Sequence, residues 1–342
     1  MNLGGTIRLN PLGVCVLIGG CVLIFVYMNF WTSDDISREV SPPDEISLKK
    51  LLGVAINAAV LGGEEVRRVN GLENLNQRSK GKTDEGANDP VTDADFLSHC
   101  VMLQTLTRAF PNIKIISEEK PRKKCEEAPS VVFDENQLVE SYSEIEDMTV
   151  KPEDVTVWID PLDATQEFIE KLLQYVTTMV CVAVKGLPTI GVIHQPFKES
   201  KTYWAWVGHS KSPSVKSQVS PQRNIIVSRS HAGEVKNISQ IAFGSDIDVT
   251  SAGGAGYKVL EVINGNASAY VHVTAIKKWD ICAGDALLRS VGGNMTKIDG
   301  HELDYSAKSS QFNRGGLIAT LQDHLWFIER LQKFYSNEKL SS

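Results

Sequence analysis

The chain has 342 residues, 42% of them apolar and 23% charged, enough to bury a sizeable core as one large domain or two packed halves. Its formal net charge of −7 argues against a nucleic-acid partner, which would call for a basic surface. An acidic protein that handles an anionic substrate must neutralise charge locally, and bound cations are one way to do so.

Residues 9–33 carry no charge, and residues 12–31 are dense in Val, Leu, Ile, Cys and Gly. About 20 such residues match the hydrocarbon thickness of a bilayer. No small-residue cleavage pattern follows, so an anchoring helix is expected rather than a cleaved signal peptide. Arg8 precedes the span and Asp34 and Asp35 follow it. The positive-inside rule then leaves residues 1–11 as a cytoplasmic tail and carries the rest of the chain across the membrane. Residues 32–47, with Pro42-Pro43, read as a stem.

Leu48, Leu51, Leu52, Ala55, Ala59 and Val60 recur with a helical period. Residues 70–88 are rich in Gly, Asn and charge and read as a loop. Asp93 or Asp95 opens a second helix running toward Phe110, and residues 113–116 form a short strand that ends in Ser117-Glu118-Glu119. Residues 121–154 are acidic without clear periodicity and read as an insertion loop with room for one short helix. Residues 155–159 form a strand ending in Asp160-Pro161-Leu162-Asp163. Residues 176–185, 189–194 and 201–207 then look like successive antiparallel strands, and residues 208–222, rich in Ser and Lys, join two halves. The second half alternates strands at 224–227, 247–249 and 269–273 with helices at 256–264 and 283–291, an α/β pattern.

Six cysteines are present. Cys15 and Cys21 sit in the apolar span. Cys100, Cys125, Cys181 and Cys282 show neither zinc-site spacing nor a dense disulfide framework, and Cys100 and Cys181 read as buried thiols acting as small apolar residues. Asn237, Asn266 and Asn294 begin glycosylation sequons, in keeping with a lumenal domain.

The sharpest chemical cluster is Trp158-Ile-Asp-Pro-Leu-Asp-Ala-Thr165. A buried strand delivers Asp160 and Asp163 at its end, and the i, i+3 spacing can aim both carboxylates at one point. Like charges so close are costly unless a cation lies between them, and hard oxygen ligands suit Mg²⁺, Mn²⁺ or Ca²⁺. An ordinary Asx turn with a helix cap is the alternative. Glu118 and Glu119 at a strand end, Asp280 before a helix, and Asp89, Asp93 and Asp95 in one short run complete the kind of carboxylate stock from which a two-metal phosphoryl site is built.

Asp-Pro-Val-Thr-Asp-Ala-Asp95, Ser-Glu118-Glu, Trp-Ile-Asp160-Pro-Leu-Asp163-Ala-Thr165 and Trp279-Asp280-x-Cys-Ala-Gly-Asp occur in this order. Together they resemble the motifs of the inositol monophosphatase family of Mg²⁺-dependent, Li⁺-sensitive phosphatases, over roughly residues 48–335. Val227-Ser-Arg-Ser-His231, Gly253-Gly-Ala-Gly-Tyr-Lys258 and Lys277-Lys-Trp-Asp280 resemble its bisphosphate nucleotidase branch, which removes the 3′-phosphate of 3′-phosphoadenosine 5′-phosphate. With the anchor, the resemblance extends to Golgi-resident, single-pass members of that branch whose catalytic domain is lumenal. It implies a layered αβαβα sandwich of the sugar-phosphatase type behind one transmembrane helix, with a metal-site half at about 48–207 and a nucleotide-closing half at about 223–335. Glu118, Asp160, Asp163, Asp280 and the carbonyl of Leu162 would hold two or three Mg²⁺ ions. Asp95 and Thr165 would hold and deprotonate the attacking water. Ser228, His231, Gly254 and Lys258, with Thr165 and Asp280, would contact the substrate.

Lys258 offers a cation for a second phosphate; as a solvated lysine on the helix at 256–264 it would do nothing of the kind. The family has Asp-Gly-Thr where this chain has Asp163-Ala164-Thr165, a departure that matters if the position needs a positive φ. The competing readings are an inositol phosphate as substrate and a catalytically silent lumenal binding protein. A homo-oligomer is compatible with the sequence.

Overall fold

A computed structural model of the chain describes residues 45–83, 86–120, 125, 144–197, 199–230, 234–245 and 247–341. The expected tail, membrane span and most of the stem lie outside the described residues, as do most of the acidic insertion and His231. Among the described residues no helix is long and apolar enough to cross a membrane.

A short strand β1 (Ile46–Ser47) leads into helix α1 (Leu48–Asn70). Ser47 caps that helix by accepting the Lys50 N–H, and Arg67 and Arg68 lie in its last turn, where the helix dipole favours positive charge. The stretch expected to be a loop at 70–88 instead contains β2 (Arg78–Lys82), paired antiparallel with β3 (Asn88–Val91). All five β2 residues are exposed, so no apolar alternation marks them as a strand; ladder pairing and charge hold the hairpin. Helix α2 (Asp93–Ala109) opens on a capping box between Thr92 and Asp95.

The first sheet contains β4 (Lys114–Ser117), β6 (Val155–Asp163), β7 (Thr177–Val184), β8 (Leu187–Gln195), β9 (Lys201–Trp206) and β10 (Ser210–Lys211). Before it, β5 (Thr149–Val150) pairs with β1. Its strand order is β10-β9-β8-β7-β6-β4, antiparallel except for β4 beside β6. Strand β6 runs through Asp163 rather than ending at residue 159, so both aspartates of the motif belong to the strand. The short helix α3 (Thr165–Ile169) follows.

The second half supplies β11 (Asn224–Ser228), α4 (Val235–Phe243), β12 (Asp248–Ala252), α5 (Ala255–Ile263), β13 (Ala269–His272), β14 (Ile276–Lys277) and α6 (Lys278–Arg289). It continues through β15 (Asn294–Thr296), β16 (Phe312–Asn313), β17 (Leu317–Thr320) and α7 (His324–Ser341). Five strands form the second sheet in the order β12-β11-β13-β17-β15.

Side-chain alternation on the strands builds the layers. Val155, Val157 and Ile159 of β6 pack with Val180, Val182 and residues of α1 and α2. Trp158, Met179 and Cys181 point to the opposite face and meet Val259 of α5, Ile281 and Leu287 of α6, and Tyr270 and Leu317 of the second sheet. The far face of that sheet, with Ile225, Val227 and Val271, is covered by Val235 and Phe243 of α4 and by Phe327 and Leu331 of α7. The order of layers is α, β, α, β, α, the expected sandwich.

Helix α6 is fastened to the first sheet by several independent devices. A Cβ on Gly191 of β8 would come within 2.3 Å of the Ala283 carbonyl, so glycine permits the close approach. Trp158 and Trp279 lie 6.4 Å apart between ring centroids. Tyr305 receives the Trp158 indole N–H on its carbonyl at 2.8 Å and donates its hydroxyl to buried Asp285 at 3.0 Å. A disulfide joins Cys181 of β7 to Cys282 of α6, and another joins Cys100 of α2 to Cys125. The reading of Cys100 and Cys181 as buried thiols is thereby corrected: both are buried, but the fold brings each to a partner 25 and 101 residues away, and sequence spacing carries no sign of such a pairing.

Removing the Cys181–Cys282 bridge with the double substitution Cys181→Ala and Cys282→Ala is expected to cost about 2–4 kcal/mol of stability, read as a lower thermal midpoint. Peptide mapping without reductant should recover the fragments containing Cys181 and Cys282 as one crosslinked species. Free thiols at both positions in non-reduced protein would contradict the pairing.

Candidate active site

The ends of β4 and β6, the start of α6 and the β2–β3 hairpin converge on one cavity of about 260 Å³. Glu118, Asp160 and Asp280 each bring a carboxylate oxygen to within 4.8 Å of the others. These residues are 42 and 120 positions apart, and the parallel pairing of β4 with β6 and the seat of α6 bring them together. Donor type and spacing fit a hard divalent cation. Asp160 also accepts the Leu162 N–H at 3.1 Å, and Asp280 accepts the Lys277 N–H at 3.2 Å.

Asp163 lies beside the trio in the same cavity. Its oxygens accept the backbone N–H groups of Ala255 (3.1 Å) and Gly256 (2.8 Å) and the Thr177 hydroxyl (3.1 Å). It therefore ties the first sheet to the start of α5. Gly254 precedes that helix at φ +67°, where a Cβ would stand 2.6 Å from the Tyr175 carbonyl, so only glycine fits.

Burial and mutual repulsion push Asp160 and Asp280 well above the usual carboxylate range. For Glu118, burial acts in the same direction, but Lys80 and Lys277 outweigh it and hold the group low. Lys80 Nζ lies 2.7 Å from Glu118 and 2.8 Å from Glu119; Lys277 Nζ lies 3.2 Å from Glu118 and 3.4 Å from Asp89. Neither lysine stands out as a site residue in the sequence. Lys80 sits in the exposed strand of an unrecognised hairpin; Lys277 belongs to the Lys277-Lys-Trp-Asp280 motif, from which only Asp280 is picked out as a site residue. Asp93 turns away to Arg78 and Asn76, so the acidic run at 89–95 is divided: Asp89 and Asp95 face the site and Asp93 does not.

Asp95 is buried on α2 and receives the Thr92 N–H and hydroxyl on one oxygen, each at 2.7 Å. Its other oxygen accepts the Thr165 hydroxyl at 2.9 Å. Burial raises Asp95 to about 7. Thr165 reaches it because Ala164 adopts a left-handed conformation, φ +70° and ψ 46°, which turns the chain sharply after Asp163. This is the position where the family has glycine. Alanine there costs on the order of 1–2 kcal/mol, held by the packing around it.

On the second-sheet side, Ser228 donates to or accepts from His272 Nδ1 at 3.1 Å. Lys258 is buried rather than solvated, with its ammonium on the Gly254 carbonyl at 2.6 Å and 5.0 Å from the centre of the Tyr270 ring. Burial lowers it to about 8, against the opposing pull of Asp163, Glu167 and Asp280. Glu167, also buried, pairs with Arg229 at 3.3 Å and with the Ser230 hydroxyl. Arg229 reaches Glu170 as well. Asn237, Asn266 and Asn294 are exposed and lie away from the cavity lining.

Residues 47–329 match the Inositol monophosphatase family. The chain is 44% identical to inositol monophosphatase 3 of Xenopus tropicalis, over 97% of this chain and 98% of that protein. It is 43% identical to the Golgi-resident adenosine 3′,5′-bisphosphate 3′-phosphatase of Mus musculus, over 95% of this chain and 96% of that protein. Among solved structures, the extragenic suppressor protein suhB of Bartonella henselae superposes with a TM-score of 0.62 at 20% identity, over 83% of this chain and 98% of that one.

Protons and a divalent cation compete for the same carboxylate oxygens, which gives a pH test. Asp95, Asp160 and Asp280 have folded-state pKa values above their ordinary 3.8. Their neutral forms stabilise the metal-free fold fully below about 4, and that contribution is lost as pH rises toward 7 and beyond. Mg²⁺ would bind the deprotonated forms of Asp160 and Asp280, so the rise in thermal midpoint on adding Mg²⁺ should be larger at pH 8 than at pH 5. His99 and His194, held neutral by burial near pKa 4, give the opposite slope with and without metal. The difference between Mg²⁺ and EDTA scans is therefore the quantity to read. An increment that is absent, or equal at both pH values, would argue against a carboxylate metal site.

Proposed function

The chain belongs to the inositol monophosphatase family, and we propose that it is the Mg²⁺-dependent phosphatase that hydrolyses the 3′-phosphate of 3′-phosphoadenosine 5′-phosphate, giving AMP and phosphate. The observation that carries this reading is a second set of groups in the same cavity as the carboxylates. Ser228, Gly254 and buried Lys258 line that cavity together with Glu118, Asp160 and Asp280. A monophosphate held at the carboxylates has no second anion for Lys258, whereas a bisphosphate does. His231, which lies outside the described residues, is assigned to the same nucleotide contact by the Ser-Arg-Ser-His motif.

In this reading Glu118, Asp160, Asp163, Asp280 and the Leu162 carbonyl hold two or three Mg²⁺ ions. Bound there, the cations supply Lewis acidity toward the phosphoryl oxygens and lower the pKa of the attacking water. The Thr165 hydroxyl donates to Asp95, which leaves its oxygen lone pairs facing the water. As the new P–O bond forms, the water proton passes to the Thr165 oxygen and the hydroxyl proton to Asp95. A carboxylate near pKa 7 is matched to that task at neutral pH. The P–O bond to the ribose 3′ oxygen breaks in line, the departing oxygen takes a proton from solvent water to become the 3′-hydroxyl of AMP, and positioning and charge neutralisation supply the rest of the catalysis.

The uncharged span at residues 12–31 supports a single-pass Golgi membrane protein with residues 48–335 in the lumen. So do the two disulfides, which persist in oxidising compartments, the exposed sequons and the name of the mouse relative. There it would clear the by-product of sulfotransferases.

The test is phosphate release by the detergent-solubilised full-length chain on 3′-phosphoadenosine 5′-phosphate beside inositol 1-phosphate. Higher kcat/KM on the bisphosphate is expected; preference for inositol 1-phosphate would replace this reading with the one named in the frog relative. Lys258→Met keeps the buried stem and removes the charge. Losing one charge-assisted contact of about 1.5–3 kcal/mol should raise KM for the bisphosphate about ten- to a hundredfold, with a smaller effect on kcat. An equal loss on the monophosphate would remove the second-phosphate role. Asp280→Asn should lower kcat by about 10² or more while the fold survives.

A further inference from the structure

Phe312 stands apart from the groups that explain the phosphates. The cavity is lined by carboxylates, lysines, hydroxyls and glycine backbone, yet this phenyl ring borders it and is 41% exposed. Tyr270, the other six-membered aromatic ring among the described lining residues, is fully buried. Phe312 is not a loose surface residue. It belongs to β16, which pairs with β14 in a register that sets Phe312 opposite Lys277, and the Lys278 N–H is fixed to the Gln311 carbonyl at 2.9 Å. Directly opposed residues of an antiparallel pair project from the same face. Lys277 projects from that face to Glu118, 3.2 Å away, so Phe312 looks over the same cavity. The ribbon runs directly into α6, which begins with Lys278 and carries Asp280. The ring therefore sits at a fixed offset from the metal-ligating group. The guanidinium of Arg314 lies over the ring, 5.4 Å from its centre, which holds its orientation.

An exposed aromatic ring held beside a highly charged cavity gains nothing from a phosphate. It suits a flat, π-rich group attached to one. We propose that Phe312 is the platform on which the substrate's nucleobase stacks, making it a residue that selects a base-bearing bisphosphate over a base-free one. The inference rests on the bisphosphate reading of the site. It assigns the base a place on the β14–β16 ribbon, on the rim next to the metal ligands.

The discriminating comparison uses 3′-phosphoadenosine 5′-phosphate and ribose 3,5-bisphosphate, which carries two phosphates and no base, on the full-length chain with Mg²⁺. Base–aromatic stacking lost on alanine substitution is worth a factor of about ten or more. Phe312→Ala is therefore expected to raise KM for the nucleotide about tenfold more than KM for the ribose bisphosphate. Phe312→Trp should retain the preference, and the fluorescence of the introduced indole should be quenched by AMP but not by ribose 5-phosphate. Equal effects of Phe312→Ala on both substrates, or an indole signal in the Phe312→Trp variant that is indifferent to AMP, would overturn the platform while leaving the bisphosphate reading intact. If the unmodified protein prefers inositol 1-phosphate to both bisphosphates, the underlying reading fails and the platform with it.

Discussion

Mutual repulsion among buried carboxylates is the constraint on which the rest of the structure depends. Asp160 and Asp280 lie in a cavity where burial already disfavours their charge, and Glu118 and Asp163 add to it. Such a cluster flies apart or takes up protons unless the fold forces it together and positive charge neutralises it. The fold does the forcing by distributing the carboxylates over elements that cannot move independently. Asp160 is fixed by the sheet, and Glu118 by the parallel pairing of its strand with the one that carries Asp160. Asp280 is fixed by α6, which a glycine contact, two tryptophans, a tyrosine and a disulfide press against that sheet.

Neutralisation is supplied in part by the protein itself. Lys80 and Lys277 reach the same Glu118 oxygen, Oε1, one from the hairpin and one from the ribbon before α6. Burial opposes the charge of both lysines, and the surrounding carboxylates more than restore it. The two elements differ in anchoring: β2 is exposed along its whole length, whereas the β14–β16 ribbon leads into the packed core.

The second sheet meets the first through Asp163. One carboxylate caps the entry to α5, and that helix carries buried Lys258 in its second turn. The link means that the acidic and cationic sides of the cavity share a covalently short path, through Gly254 and its positive φ. Arg229, paired with Glu167 of α3 and with Glu170 at its C-terminal cap, ties the end of the interior strand β11 to the first half.

Much of this was legible in residue patterns. Alternation and period located the main strands and the two long helices of the first half, and in the second half the strands at 224–227, 247–249 and 269–273 and the helix α5; α4, β15, β17 and α7 were missed, and α6 starts at Lys278 rather than at 283. The ordered acidic motifs pointed to Glu118, Asp160, Asp163, Asp280 and Asp95 through their resemblance to a known family. Polar strands were not legible: Arg78–Lys82 has no apolar face, and its pairing depends on a partner strand and on charges elsewhere. The disulfides, the burial of Lys258, and the places of Lys80, Lys277 and Phe312 were not legible either. By itself the sequence determined which segments are buried and which carry acid, since burial and local periodicity are properties of neighbours along the chain. Tertiary structure alone decided which acid meets which lysine, which cysteine finds which, and that an alanine must take a left-handed turn at residue 164, because those outcomes depend on groups up to more than a hundred residues apart being forced into one low-dielectric space.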